Sequence, residues 1–357
     1  MKPKVAIRVD YSNELGTGHF MRALSIRNYL GKENIDSELV FGEFDDSLCE
    51  RLDRDNISYK VIAGSGFEKE ILFWNSIKND YSLVLFDISH KKTWADLPGL
   101  CTLLQFLKRQ NMRTAFFDGC GAEMCARKIN MDIDLLIIPY ECEVPQSIQS
   151  PVLNGAEYFI FGNDCREFKS QPLKDVKNVL FTFGGADPTN LSLLGLDVAQ
   201  ELKGSAAFEN ITFSIVIGPA FSPSLVRCIE EVDSVKIIKA PARLDEYIKD
   251  ADIIVCATGL TKYEVLRYSK PSIHISINKE LANINKSLAQ KGCCIDLGEQ
   301  SPDTKENLKT AIVKLVQDDL SRKVLIDNSC GVVDGKGGTR ITTSLLELIS
   351  LRGVGDE

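Results

Sequence analysis

The sequence predicts an α/β protein built from two doubly wound domains that face a central cleft. At 357 residues the chain is longer than one ordinary hydrophobic core organises, so two domains are expected. Short apolar runs alternate with amphipathic stretches, which is typical of a parallel sheet covered by helices on both faces. This alternation stops in the middle of the chain and then starts again. Because such sheets bind ligands at the carboxyl ends of their strands, two of them are expected to share one cleft.

The strands and helices follow from hydrophobic periodicity. In the first half, the predicted strands are KVAIRV, DSELVF, SLVLFD, RTAFFD and DLLIIPY, and the predicted helices span residues 19–32, 67–80 and 94–110. In the second half, the predicted strands are KNVLFTFGG, NITFSIVIG, VKIIKA, DIIVCATG and PSIHISI, and the predicted helices are LSLLGLDVAQELKG, RLDEYIKDA and TKYEVLRYSK.

A segment of different character separates the two halves. The stretch PVLNGAEYFIFGNDCREFKSQPLKD is rich in Gly, Pro, Asn and Asp and has no sustained periodicity. Such composition is typical of an interdomain connection. We therefore expect an N-terminal domain over residues 1–155, a linker over 156–175 and a second domain over 176–335.

Composition and charge exclude several classes of function. A formal net charge of -8 and an isoelectric point near 5.2 would repel nucleic acid and anionic membrane surfaces, so neither is an expected partner. No apolar run has the length of a signal peptide or of a transmembrane span, which argues against membrane insertion. The eleven cysteines are scattered and lack CxxC spacing. We expect reduced thiols in a cytoplasmic protein without a metal site or a cofactor.

Three glycine-containing turns each follow a predicted strand and open a predicted helix. This arrangement presents backbone N–H groups to phosphate at the positive end of a helix. None of the turns has the full GxGxxG or GxxxxGK[ST] pattern, and any single one is more often a plain tight turn. Their recurrence in both halves favours ligand binding. The candidate residues are Gly16, Thr17 and Gly18 in the first turn, Gly184, Gly185, Asp187 and Asn190 in the second, and Thr258, Gly259 and Thr261 in the third.

His19 follows the first turn directly and is the candidate general base. An arbitrary histidine is more often a structural residue, but the start of a helix disfavours the imidazolium and keeps the ring a base. Asp10, at the end of the preceding strand, is the second catalytic candidate. Its carboxylate either orients the ring or a water molecule, or it pairs with Arg8 or Arg22.

Further candidates lie near the same predicted sheet edge. Arg22 lies in the helix that begins near His19, whereas Asp87 ends the strand SLVLFD and His90 follows it closely. These three residues are candidates for substrate binding. His274 alternates with apolar neighbours in PSIHISI, which is typical of a structural strand residue.

Glu264 has two incompatible interpretations. In TGLTKYE, Thr261 and Glu264 have the spacing of a capping box, in which the glutamate bonds to the helix start. Alternatively, the carboxylate accepts hydrogen bonds from two ribose hydroxyls beside the third turn. The two roles need different rotamers, so the side chain can fill only one of them.

Three motifs carry a resemblance to a known family. IRVDYSNELGTGHFMRALSI, FTFGGADPTNLS and DGKGGTRI resemble, in this order, signatures of the UDP-sugar hydrolases of the pseudaminic acid pathway and of the related spore-coat polysaccharide glycosyltransferase-like proteins. The resemblance implies a GT-B fold, with two Rossmann-like domains and UDP held mainly by the C-terminal one. It also implies a terminal helix, within residues 336–357, that crosses back toward the N-terminal domain.

The same resemblance implies a mechanism. His19 would be the base for water that attacks the anomeric carbon of a UDP-2,4-diacetamido-2,4,6-trideoxy sugar with inversion, and UDP would depart without a metal. Glu264 matches the ribose-binding glutamate of this class. Asn278 matches a nucleotide-binding position where the family usually has Asn-Gln, although Lys279 replaces the glutamine here.

The sequence departs from the family pattern on the acceptor side. Ser89 stands where a tyrosine is usual, and Asp118-Gly119 replaces a paired Asp-Asp. The leading hypothesis is therefore a UDP-sugar hydrolase, with an inverting glycosyltransferase and a non-catalytic sugar-nucleotide binding protein as alternatives. A dehydrogenase is disfavoured because GxGxxG and an acidic residue at the end of the second strand are missing.

Overall fold

The structure is a computed structural model that describes residues 3–11, 18–77, 80–88, 94–119, 123–161, 175–241 and 243–350. The chain divides into two units, each built around a parallel sheet. The first unit comprises Met1–Arg166 and Gly335–Glu357, and the second comprises Glu167–Asp334. Two Rossmann-like domains with helices between their strands confirm the predicted α/β class.

The first unit contains a seven-stranded sheet in which every pairing is parallel. Its spatial order is β3-β2-β1-β4-β5-β6-β7. The strands are β1 (Lys4–Val9), β2 (Asp36–Phe41), β3 (Tyr59–Val61), β4 (Leu83–Asp87), β5 (Arg113–Phe117), β6 (Leu135–Ile138) and β7 (Val152–Asn154). The described helices between them are α1 (Gly18–Lys32), α2 (Cys49–Arg54), α3 (Phe67–Ser76), α4 (Leu97–Arg109) and α5 (Glu123–Ala126).

The second unit contains a six-stranded parallel sheet in the order β10-β9-β8-β11-β12-β13. The strands are β8 (Asn178–Thr182), β9 (Thr212–Ile217), β10 (Lys236–Lys239), β11 (Ile253–Ala257), β12 (Ser272–Ser276) and β13 (Ile295–Glu299). The helices are α6 (Leu191–Lys203), α7 (Pro223–Glu230), α8 (Leu244–Asp250), α9 (Thr261–Arg267), α10 (Lys279–Gln290), α11 (Thr304–Gln317) and α12 (Asp319–Ser329).

The final helix, α13 (Gly337–Ser350), packs in the first unit. Ile341 and Leu345 are fully buried in the core that includes β1 and α1. The two adjacent glycines of the DGKGGTRI motif, Gly337 and Gly338, permit this packing, because a Cβ at Gly337 would lie 2.3 Å from the Phe159 carbonyl oxygen. A Cβ at Gly338 would collide with the Tyr29 ring. This motif therefore has a structural basis within the first unit.

Three strands at sheet edges have no counterpart among the predicted ones. β3 and β7 are the two edges of the first sheet, and β13 is an edge of the second. Each of them has partly exposed residues, and β13 includes Gly298 at a φ of +71°. An edge strand buries less side-chain surface than a central strand, so it lacks the continuous apolar run on which the prediction depended.

Both sheets reverse their strand order at one point, and all three predicted turns follow strands at these points. In the first sheet the reversal lies between β1 and β4, and the first turn connects β1 to α1. In the second sheet the reversal lies between β8 and β11, which are followed by the second and third turns. Ligands of open α/β sheets bind outside the carboxyl ends of strands at such reversals. The topology thus indicates ligand binding at these two sheet edges.

The turn after β8 should be sensitive to substitution of Gly218, which follows β9. A methyl group at this position would lie 2.4 Å from the carbonyl oxygens of Gly184 and Gly185. Because these atoms belong to the backbone, we expect Gly218→Ala to lower the free energy of unfolding by about 1–3 kcal/mol. Urea unfolding measures the effect. Gly259→Ala is the control, since nothing lies within 4 Å of its Cβ position. Equal stability of the two variants would contradict the close approach.

Candidate active site

His19, Arg22 and Asp87 form a hydrogen-bonded cluster at the strand reversal of the first sheet. The Nδ1 atom of His19 lies 2.7 Å from Oδ1 of Asp87. Arg22 donates from Nε to Oδ2 of Asp87 at 2.6 Å and from Nη2 to Oδ1 at 2.5 Å. A third nitrogen of Arg22, Nη1, donates to the Tyr140 hydroxyl at 3.1 Å. The structure thus brings together three of the residues predicted for catalysis and substrate binding.

Local periodicity explains why these side chains meet. His19 is the second residue of α1 and Arg22 follows three residues later, so both lie on the same helix face. Asp87 ends β4, where Leu83 and Leu85 contribute to the core that packs against α1. Since side chains alternate along a strand, Asp87 continues this face and reaches the start of the helix.

The charge of Asp87 determines which nitrogen of His19 carries a proton. Burial by itself would raise the pKa of Asp87, but Arg22 and His19 outweigh it and hold this pKa at about 2. An ionised carboxylate only accepts hydrogen bonds, so Nδ1 of His19 is the donor. In the neutral ring, Nε2 then has its lone pair available. The His19 side chain is 19% exposed, whereas that of Asp87 is 2% exposed. The pair therefore provides an oriented and accessible base.

Asp10 pairs with Arg8 in this structure, and its catalytic role stays a prediction. Its Oδ1 accepts from Arg8 Nη1 at 2.7 Å and from the backbone N–H of Glu43 at 3.0 Å. Arg8 also donates to both carboxylate oxygens of Glu70. Arg8 and Asp10 are fully buried. The alternative in which Asp10 pairs with Arg8 is thus the one adopted, because the buried guanidinium needs carboxylate partners.

Other residues of the first unit are placed only in part. Gly18 is the exposed first residue of α1, and its Cβ position has no atom within 4 Å. Gly16, Thr17 and His90 lie outside the described residues. Tyr140 escaped prediction, although it ends the run DLLIIPY at the carboxyl end of a strand. That position at the binding edge is the signal that would have identified it.

In the second turn, Asp187 stabilises the start of a helix. Its Oδ1 and Oδ2 atoms accept from the backbone N–H groups of Leu191 and Ser192 at 2.9 and 2.8 Å. Asp187 is buried, and these amides are the ones an anion at the α6 N-terminus would use. Its carboxylate therefore caps α6, and its predicted nucleotide contact stays a prediction. Asn190 precedes α6 in the left-handed conformation, and its side chain makes no capping bond. Gly184 and Gly185 have open space at their Cβ positions.

In the third turn, the threonines and the glycine differ in their surroundings. Thr258 is fully buried, and its hydroxyl donates to Oγ of Ser276 at 3.0 Å. Gly259 has nothing within 4 Å of its Cβ position. Thr261 is the first residue of α9 and is partly exposed. These two residues remain compatible with ligand binding.

Glu264 does not form the predicted capping box. Leu260, rather than Thr261, occupies the cap position of α9. Among the described residues, the Glu264 carboxylate has no hydrogen-bond partner. The side chain is partly buried, and burial, followed by the charge of Asp245, raises the pKa of Glu264 to about 7. The structure therefore leaves this carboxylate open for the alternative role with a ligand.

Asn278 and His274 serve the fold of the second unit. The Oδ1 atom of Asn278 accepts from the backbone N–H of Leu281 at 2.9 Å and caps α10, while its nucleotide contact stays a prediction. His274 lies in β12, as its alternating neighbours indicated, and is fully buried. Its ring nitrogens pair with Ser272 and Asn285, both at 3.0 Å.

Among the described residues there is neither a membrane-spanning helix nor a cluster of metal-ligating side chains. Within these ranges, no helix combines the length and the apolar character that crossing a membrane requires. The same residues contain no group of three or more His, Cys, Asp or Glu side chains that could hold a metal ion.

The chain has two curated relatives of moderate similarity, and no family model matches it. It is 27% identical over 293 residues to the uncharacterized protein MJ1062 of Methanocaldococcus jannaschii, an alignment that covers 77% of this chain and 56% of that protein. The chain thus spans about half the length of this relative. It is 26% identical over 275 residues to the spore coat polysaccharide biosynthesis protein SpsG of Bacillus subtilis, covering 69% of this chain and 80% of SpsG. The predicted resemblance to the spore-coat proteins is confirmed.

Solved structures match nearly the whole chain. MurG of Acinetobacter baumannii superposes with a TM-score of 0.66 and 13% identity over 97% of this chain and 100% of its own. The chain has a GT-B fold. A second GT-B match is the spinosyn rhamnosyltransferase SpnG complexed with thymidine diphosphate, with a TM-score of 0.62, 12% identity and coverage of 95% and 99%. UDP-GlcNAc 2-epimerase of Neisseria meningitidis, bound to UDP-GlcNAc, has a TM-score of 0.62, 12% identity and coverage of 96% and 100%.

The buried pair between Arg22 and Asp87 should make stability depend on acid. In the folded GT-B chain the pKa of Asp87 is about 2, below its ordinary value of 3.8. The stabilisation is therefore present above pH 3.8 and is lost as the pH falls toward 2. We expect Asp87→Asn to lower the free energy of unfolding by about 2 kcal/mol at pH 7 and by progressively less below pH 4.

Urea unfolding at several pH values tests this dependence. The surface pair between Asp327 and Lys323 provides the control, because both side chains are more than half exposed. Asp327→Asn should change stability by less than about 0.5 kcal/mol at any pH. A loss at Asp87 that stayed constant down to pH 2 would contradict the assigned ionisation.

Glu264 should make the stability of the protein depend on pH in the opposite direction, with a loss as the pH rises. Its folded pKa of about 7 lies above the ordinary 4.5, so the folded state favours the protonated acid. This contribution is complete below pH 4.5 and is lost as the pH rises through 7. Glu264→Gln should therefore stabilise the protein at pH 8 by about 1–2 kcal/mol and leave it unchanged at pH 4. Thermal unfolding at both pH values measures this, with the exposed Glu209→Gln as the control. A variant less stable than wild type at pH 8 would refute the raised pKa.

Proposed function

We propose that this protein is an enzyme that cleaves a sugar nucleotide between the anomeric carbon and the diphosphate, with His19 as the general base. The observation that carries the proposal is the pair formed by His19 and Asp87, which leaves Nε2 as an accessible proton acceptor. Its location at the strand reversal supports a role in ligand chemistry. The spore-coat relative and the sugar-nucleotide enzymes that share the GT-B fold support the substrate class.

The proposed reaction is a single displacement with inversion. As an acceptor oxygen attacks the anomeric carbon, its proton passes to Nε2 of His19. The bond between the anomeric carbon and the diphosphate oxygen breaks, and the nucleoside diphosphate leaves with the electron pair. Asp87 holds Nδ1–H and stabilises the imidazolium that forms, which is the role of the carboxylate in histidine-based catalysis.

The nucleotide is assigned in this proposal to the second unit. Glu264 would accept hydrogen bonds from the ribose hydroxyls, since its carboxylate has no partner among the described residues. The backbone at Gly259 and Thr261 would meet the diphosphate, and the open turn at Gly184 and Gly185 would lie beside the ligand. Preorganised amides of this kind stabilise the charge of a departing diphosphate. UDP is the nucleotide that the family resemblance favours.

The acceptor distinguishes two versions of the proposal. A hydroxyl acceptor makes the protein an inverting glycosyltransferase of polysaccharide biosynthesis, which the SpsG relative and the glycosyltransferase neighbours support best. Water as acceptor makes it a UDP-sugar hydrolase, acting on an acetamido-deoxy sugar of pseudaminic acid type. The motif NELGTGHFMR, which resembles the hydrolase signature, favours this second candidate. A protein that only binds the sugar nucleotide would have no need of the oriented base.

Removal of the base should separate turnover from binding. His19→Ala should reduce turnover by roughly 10²–10⁴-fold, the usual contribution of a general base, and leave UDP affinity nearly unchanged. Glu264→Ala should mainly weaken UDP binding. Calorimetric titration with UDP and release of UDP from a panel of UDP-linked N-acetylated deoxysugars measure the two effects. Normal turnover by His19→Ala would overturn the role of His19.

Isotope labelling identifies the acceptor and the bond that breaks. The panel is incubated in ¹⁸O water, with and without added sugar hydroxyl acceptors. Label on the anomeric carbon of a free sugar supports the hydrolase, and a new unlabelled glycoside supports the transferase. Label on the phosphate would mean attack at phosphorus and would refute the mechanism.

A further inference from the structure

Arg22 binds Asp87 with the planar fork of its guanidinium. Nε donates to Oδ2 at 2.6 Å and Nη2 donates to Oδ1 at 2.5 Å, so both carboxylate oxygens are held. Such bidentate pairs fix the plane of a carboxylate as well as its charge. Oδ1 is the same oxygen that accepts Nδ1–H of His19. The orientation of the base therefore depends on a carboxylate that Arg22 orients.

Arg22 is itself fixed by two further contacts. Nη1 donates to the hydroxyl of Tyr140, a buried residue that follows β6. The guanidinium carbon also lies 5.0 Å from the centre of the Phe117 ring at the end of β5. Cation–π contact and hydrogen bonding together restrict the arginine to one rotamer. The positions of Asp87 and His19 thus rest on the ends of three neighbouring strands.

Loss of Arg22 would alter both the geometry and the protonation of the base. A buried carboxylate without a cation favours its protonated form, and a protonated Asp87 could donate to Nδ1 and move the ring proton to Nε2. If Asp87 instead stayed ionised, the positive charge of Arg22 would no longer balance its carboxylate. The imidazolium form of His19 would then be favoured. Either outcome removes the free lone pair of Nε2.

Ionisable groups from three elements act on the ring. α1 contributes Arg22, whose Nη2 lies 3.3 Å from Nδ1 of His19. β4 contributes Asp87, and the segment after β6 contributes Tyr140 through its bond to Arg22. Arg22 therefore lies against the ring as well as orienting its partner.

We infer that Arg22, anchored by Tyr140, is a positioning residue that keeps Asp87 ionised and aligned so that His19 retains a free Nε2. The inference rests on the proposed function, because it assigns Arg22 to the base rather than to direct contact with the substrate. It replaces the sequence-based expectation that Arg22 and Asp87 bind the substrate. It also gives a role to Tyr140.

The first test needs no substrate. The chain has three histidines, so ¹⁵N-histidine NMR can follow each ring, and comparison with His19→Gln assigns the His19 signals. His274 does not interfere, because burial lowers the pKa of His274 to about 4. In wild type we expect a single tautomer with the proton on Nδ1. In Arg22→Gln we expect either a mixed tautomer or conversion to the imidazolium at higher pH. Unchanged His19 signals in this variant would overturn the inference.

The second test uses kinetics with the substrate that the labelling experiment identifies. Arg22→Gln should lower kcat roughly 10–100-fold with little change in KM, and it should move the acid limb of the pH–rate profile to higher pH. Arg22→Lys keeps the charge but loses the fork, so the acid limb should stay near that of wild type while kcat remains reduced. Tyr140→Phe should also lower kcat, by a few-fold, because Arg22 loses its hydrogen bond to the hydroxyl.

Arg27→Gln is the matched control, because Arg27 lies on the same helix and makes no hydrogen bond to His19 or Asp87. It should leave kcat, KM and the acid limb unchanged. A higher KM with unchanged kcat in Arg22→Gln would mean that Arg22 contacts the substrate and would refute the inference. The failures are distinguishable, since a wild type that turns over no sugar nucleotide contradicts the proposed function, whereas the NMR measurement still tests Arg22.

Discussion

The buried carboxylate of Asp87 is the group on which the candidate active site depends. It lies where β4 ends, beside the start of α1, and it is nearly inaccessible to water. A carboxylate in such a place stays ionised only if a cation and hydrogen-bond donors hold it, and Arg22 supplies the charge while Nδ1–H of His19 donates a hydrogen bond. Because the ionised group can only accept hydrogen bonds, it also sets the proton position on the ring. One electrostatic requirement therefore determines both the local packing and the available chemistry.

The reversal of strand order explains why the site forms at this edge. Ligands of open α/β sheets bind outside the carboxyl ends of strands where the strand order reverses, and β1 and β4 flank that reversal in the first sheet. The second sheet repeats the arrangement between β8 and β11. The two edges are nevertheless equipped differently. The first has a charged side-chain cluster, whereas the second has open glycine turns and the carboxylate of Glu264, which has no hydrogen-bond partner within the described part of the chain.

Several polar residues near these edges are satisfied by the protein itself. Asp187 bonds to two amides at the start of α6, and Asn278 caps α10. Asp10 serves the buried guanidinium of Arg8. In each case a nearby side chain provides the hydrogen-bond partner that a helix start or a buried cation needs. A polar residue at a binding edge is therefore a candidate ligand only after its internal partners are known.

The sequence by itself determined the α/β class, the central strands and the glycine turns, because hydrophobic periodicity and local turn chemistry are properties of neighbouring residues. It also singled out His19 by its position behind the first turn. The edge strands β3, β7 and β13 were missed, since partly exposed strands carry a weaker pattern. The features that the sequence did determine depend on contacts within a few residues.

Only the tertiary structure decided which candidates act together. His19 and Asp87 are 68 residues apart in sequence, and Arg22 and Tyr140 are 118 apart. Asp10 is much closer to His19 along the chain, but its carboxylate accepts a hydrogen bond from the buried guanidinium of Arg8. Which carboxylate meets the ring is fixed by strand order and by the face on which each residue emerges. Strand order arises from packing of the whole sheet, and no local pattern encodes it.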